Sequence, residues 1–129
     1  MEKNKYLEAI DILKSTARVM KIPSFLNIGI AYYKMESFHN AKIYLNRIYE
    51  YEEAIVNDTY SYMSASFYLY QITKNKIYLE KIIKIASKHK KLSEHSKRLI
   101  VDTLIVLKRY KKALEILNSM KFPLDLVDH

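Results

Sequence analysis

The sequence predicts an all-α protein of about seven short helices in a single domain spanning residues 1–129. Two observations lead there. Apolar residues recur at helical spacing along almost the whole chain. Its one glycine, Gly29, and two prolines, Pro23 and Pro123, leave no glycine or asparagine pair to close a hairpin between alternating apolar runs. Half of the residues are hydrophobic and 28% are charged, a globular composition. A chain of this length buries roughly two-thirds of the surface that it exposes when unfolded.

Tyr6, Ala9, Ile10 and Leu13 mark a first helix, roughly 2–19. The Ile22-Pro23 pair is expected to break it, because proline disfavours a helical residue before it. Ser24 or Pro23 itself opens the second helix. Phe25, Ile28, Gly29 and Tyr32 stripe that helix to about Lys34. Met35 to His39 reads as a tight turn. Ala41, Leu45 and Ile48 stripe a third helix, to about Tyr51. Asn57 or Asp58 caps the fourth, which carries Tyr62, Met63, Ser66 and Leu69. After a turn at Lys74 to Lys76, Tyr78, Leu79, Ile82 and Ala86 stripe a fifth, to about His89. Ser93 caps the sixth, with Leu99, Ile100, Leu104 and Leu107. Arg109 to Lys111 turns again, and Ala113, Leu114 and Leu117 stripe the seventh, to about Met120. Turns this short force sequential helices to pack antiparallel.

The chemistry-bearing residues exclude more than they propose. Cysteine is absent, so there is no disulfide, thiolate metal site or cysteine nucleophile. A single glycine cannot make a phosphate-binding loop. His39, His89, His95 and His129 form no helical metal-ligand pair, and no metal is expected. Glu50, Glu52, Glu53 and Asp58 cluster at one junction without a histidine or lysine beside them, so they read as solvated loop acids. Serines lack a nucleophile-elbow context. The expectation is a non-enzymatic chain with no cofactor. Residues 1–13 carry acids and do not read as a signal peptide, and no apolar run spans a bilayer. A cytoplasmic location and no membrane partner are the expectations.

Charge is unevenly spread. Residues 1–60 hold eight Lys/Arg and eight Asp/Glu, so the second half carries the whole formal charge of +8. Lys74, Lys81, Lys84, Lys88 and Lys91 fall along one stripe about the fifth helix. Lys76, Lys90, Lys97, Arg98, Arg109, Lys111 and Lys112 lie in the adjoining turns and helices. An electropositive surface for nucleic acid or an acidic protein is one reading, and a solvated helix face is the plain one. Arginine is scarce beside lysine, and base readout favours arginine.

The chain also repeats itself. Residues 40–48 and 74–82 superpose at an offset of 34 with five identities. Tyr110-Ala113-Leu117 and Tyr6-Ala9-Leu13 repeat the frame of Phe38-Ala41-Leu45, the third copy at a spacing of about 38. In residues 22–55 Phe25, Ile28-Gly29, Tyr32, Ala41 and Leu45 stand at the signature positions of a helical repeat. In these residues the chain resembles the tetratricopeptide-repeat family. Met63 and Val101 replace the glycine in the later copies, and Asn75 replaces the alanine.

The resemblance implies antiparallel helix pairs stacked as a short right-handed superhelix. It also implies an inner groove, lined by the first helix of each pair, that takes a peptide or helix of another protein. Leu26, Ile30, Tyr33, Tyr60, Phe67, Tyr68, Ile105 and Val106 fall on or near that inner face in the inferred register. The family's basic clamp for a C-terminal carboxylate is missing: its positions fall on Leu26, Ile30, Ser61, His95 and Leu99. The expected role is a protein-interaction adaptor or chaperone-like module, with a nucleic-acid accessory protein as the alternative. The first helix lacks a pair, and Leu114, Ile116 and Leu117 fall on more than one side of the last. Self-association through a terminal helix is therefore expected, unless Phe122, Leu124 and Leu126 fold back to cover it.

Overall fold

A computed structural model describes residues 2–16, 21–51, 58–89 and 91–120. These contain seven α-helices and no strand, so the fold is all-α. They are α1 (Glu2–Thr16), α2 (Lys21–Lys34), α3 (Phe38–Arg47), α4 (Thr59–Thr73), α5 (Ile77–Lys88), α6 (Glu94–Val106) and α7 (Tyr110–Ser119). A 3-10 turn, Ile48–Glu50, extends α3, where the sequence predicts a continuous helix. The expected end of α1 near residue 19, the acids Glu52 and Glu53, Lys90, and the tail with Phe122, Leu124, Leu126 and His129 lie outside the described residues.

Three helix starts differ from expectation. α2 begins at Lys21, so Pro23 lies inside its first turn rather than ahead of it. The first N–H groups of a helix have no intrahelical partner, so a proline there removes no bond. α3 and α7 each begin earlier than the turns read from sequence, at Phe38 and Tyr110. The caps follow the chemistry. Asp58 accepts from the Ser61 N–H at 3.3 Å and from its hydroxyl at 2.8 Å. Ser93 accepts from the Ser96 N–H at 3.1 Å.

The pairs α2–α3, α4–α5 and α6–α7 are each joined by a turn of three residues and packed side by side, so their helices run antiparallel. The opening helices also meet one another: α2 packs on α4, and α4 on α6. α1 packs on α2.

Each turn holds one residue in the left-handed conformation: Glu36 (φ 61°), Lys74 (φ 60°) and Lys108 (φ 61°). The first and third share one hydrogen-bond pattern. Ser37 N–H donates to Tyr32 O at 2.9 Å, and Arg109 N–H to Leu104 O at 2.8 Å, each reaching back across the end of the helix. These turns set the repeat register, and they correct the one read from sequence. The longer interval is the first, Glu36 to Lys74, and the shorter the second. Five residues beyond each stand Ala41, Leu79 and Ala113, all buried. Leu79, not Asn75, therefore occupies the alanine position of the second pair, and Asn75 lies in the turn. Phe67, not Met63, takes the place of Gly29. The matching motif misled because a slip of one helical turn keeps the same face buried.

Three groups of buried residues follow the pairing. Ile10, Ile28 and Ala31 join α1 to α2. Phe25, Leu26, Leu45 and Leu69 join α2, α3 and α4. Met63, Leu79, Ile82, Ile100, Leu104 and Ala113 join α4 through α7. At the two ends, Ile12 and Leu114 stay exposed, while Ile116 and Leu117 are half-buried against the last core.

Candidate functional site

Two surface depressions lie on opposite sides of α4. With about 3.6 residues per turn, Tyr60, Ser64, Phe67, Tyr68 and Gln71 share one face of that helix, and Tyr62 falls on the other.

The first depression, about 350 Å³, is lined by Tyr33 and Lys34 of α2, by that face of α4, and by Leu99 of α6. It brings together Tyr33, Tyr60, Phe67 and Tyr68 of the residues expected in a groove. Tyr33 and Tyr68 meet edge to face at 5.2 Å between ring centroids, which fixes both rings. Tyr33 also packs at 5.7 Å on Phe38. Tyr60 is 42% exposed and lies 6.3 Å from the His95 ring, so α4 and α6 share the wall.

The other expected groove residues sit elsewhere. Leu26 is buried in the core with Phe25 and Leu45, because its side of α2 is the one that meets α3 and α4. Ile30 is half-buried against the same core. Ile105 is exposed and Val106 half-buried, and neither lines the depression. Leu99 and Gln71 do, and sequence reasoning left both out of the groove.

The second depression, about 420 Å³, runs along α5. Tyr62, Ile77 and Ile85 supply apolar lining, and Lys81, Lys84 and Lys88 supply charge, with Glu80 beside them. Three of the five lysines in the predicted stripe thus border one hollow. Lys74 lies in the preceding turn, its ammonium 5.5 Å from the Tyr70 ring centre and 3.4 Å from Gln71 Oε1. Lys91 is exposed beyond the other end of α5. Lys81 Nζ stands 5.2 Å from the centre of the Tyr49 ring, a cation–π placement.

Tyr49 anchors this side. Its hydroxyl lies 2.6 Å from Ser66 Oγ, and Ser66 donates its own proton to Tyr62 O at 2.9 Å. Tyr49 is therefore the donor in the first bond. Burial pushes the Tyr49 hydroxyl well above the usual tyrosine range, and burial raises Tyr62 as well. Neither tyrosine is an ionised base near neutral pH. Among the described residues no three metal-ligating side chains gather, and no helix is long and apolar enough to cross a membrane. His39, His89 and His95 stand at separate helix ends, and Asp58 is occupied as a cap. Set against family models, curated proteins and solved structures, the chain matches none.

Proposed function

We propose that this chain is a non-enzymatic protein-interaction module, a divergent relative of the tetratricopeptide repeats, that takes a peptide or helix of a partner protein. The observation that carries the reading is the convergence of Tyr33, Tyr60, Phe67, Tyr68 and Leu99, from three successive opening helices, on one depression. Tyrosine is large, stiff and able to hydrogen bond, which suits it to anchoring a partner. The edge-to-face contact of Tyr33 with Tyr68 holds the wall ready before any ligand arrives. The ligand this lining fits is an apolar or aromatic side chain with a hydrogen-bonding backbone, met by the tyrosine hydroxyls, Ser64 and Gln71.

A displayed peptide library panned on the full chain tests this. Selected peptides should share an apolar anchor. Their affinity should fall about fivefold or more in Tyr60→Ala and Tyr68→Ala, on the scale of an interface anchor. Selection of no common motif, or motif binding that ignores both variants, rejects the reading.

A further inference from the structure

We infer that the hollow on α5 is a second docking site, specific for an acidic amphipathic segment of a partner protein. It lies on the side of α4 away from the aromatic depression, and it does not depend on the function proposed for that depression.

Charge is the first argument. Lys81, Lys84 and Lys88 follow one another at helical spacing on one face of α5. No carboxylate among the described residues forms an ion pair with any of them. The one acid of the lining, Glu80, is held by Arg109 at 2.7 Å. Three aligned cations repel one another, a standing cost to the helix that a line of partner carboxylates would remove.

The apolar lining is the second argument, and it selects the class of partner. Ile77, 55% exposed, lines the hollow with the half-buried Tyr62 and the buried Ile85. A hollow of about 420 Å³ has room for an apolar side chain. A nucleic-acid backbone has phosphates for the lysines but nothing for the exposed Ile77. Lysine is also a point charge without the planar fork that reads bases. An acidic helix with one leucine or isoleucine a turn away from its carboxylates satisfies both linings.

The test uses the full chain and a short labelled helical peptide with three glutamates spaced as the lysines are and a leucine one turn away. Binding is followed by fluorescence anisotropy. Lys84→Glu/Lys88→Glu should weaken it about tenfold or more, as for a charge pair at an interface. Ile77→Ser should weaken it about fivefold. Lys3→Glu/Lys5→Glu, the same charge change on α1, which packs on α2, should stay within about twofold at physiological salt, where exposed charges more than about 8 Å away are screened. Circular dichroism confirms that each variant is folded. Equal losses in the two charge variants would reduce the site to net charge and overturn the proposal. So would a single-stranded oligonucleotide that binds more tightly than the peptide and ignores Ile77→Ser, or a peptide that does not bind.

Discussion

Gly29 faces Leu45 so closely that a Cβ on the glycine would fall 2.7 Å from both Cγ and Cδ2 of the leucine. Leu45 has no exposed surface, and the Ala41 carbonyl lies 3.5 Å from the same point, so the space cannot open freely. The contact lets α2 and α3 approach. Gly29→Ala sets a helix-propensity gain of about 1 kcal/mol against that clash. Gly29→Leu adds atoms where none fit and should cost about 1–3 kcal/mol. Urea unfolding of Gly29→Leu, alone and with Leu45→Ala, measures it. The double variant should lose less than the sum of the two singles, because the residues share one space.

The Tyr49 hydroxyl gives a second expectation. Tyr49→Phe removes its bond to Ser66 and should cost about 0.5–1.5 kcal/mol near neutral pH. The pH dependence has a definite sign. Burial holds the folded-state pKa of Tyr49 above its unfolded value. The stability that goes with it is complete below the ordinary tyrosine pKa of about 10 and is lost as pH rises beyond that, because only the unfolded chain gives up the proton. Tyr62 acts in the same direction. Alkaline unfolding should therefore be less steep in Tyr49→Phe than in the parent. Equal slopes would show that Tyr49 ionises freely in the fold.

The left-handed turn residues form a third case. Glu36, Lys74 and Lys108 all carry side chains at positive φ. A non-glycine residue there costs roughly 1–2 kcal/mol, and glycine escapes that cost but loses more entropy on folding. Each replacement by glycine should stabilise the chain by up to about 1 kcal/mol. Thermal unfolding of Glu36→Gly, Lys74→Gly and Lys108→Gly checks the sign one by one.

These same residues mark where the sequence stopped being legible. Helix number and type could be read because apolar spacing survives any register. Asp58 and Ser93 could be read as caps because their side chains act on the next turn alone. The turns could be placed only to within a residue or two. Without glycine, nothing in Glu36, Lys74 or Lys108 announces a left-handed conformation. The slipped second copy followed from that. Of the groove, Tyr33, Tyr60, Phe67 and Tyr68 were legible as one face. Leu26 was not, since a core leucine and a groove leucine share the same periodicity. The ammonium of Lys81 over Tyr49 was also hidden, because it joins the 3-10 turn after α3 to α5 across the fold.

That contact makes the three lysines of α5 unequal, which gives the last prediction. Reversing an exposed charge ordinarily shifts stability by no more than about 0.5 kcal/mol. Lys81 is half-buried over the Tyr49 ring, so Lys81→Glu should lose roughly 0.5–1 kcal/mol with the cation–π contact. Lys84 lies between Lys81 and Lys88, and Lys84→Glu turns two repulsions into two attractions, against one new repulsion from Glu80 four residues before it. The net change, about one pair, should stabilise the helix by roughly 0.2–0.5 kcal/mol. Lys88→Glu puts an anion in the last turn of α5, where the helix dipole opposes it by about 0.3–1 kcal/mol, offset in part by the lost repulsion with Lys84. Thermal unfolding of the three single variants at low and high salt should reproduce that order, with the differences at Lys84 and Lys88 shrinking as salt screens them. A lysine whose replacement improves the free protein while weakening its hold on an acidic peptide contributes to binding and not to the fold. If Lys84→Glu instead lowers the melting temperature, Lys84 supports the fold and its place in a docking site loses that argument.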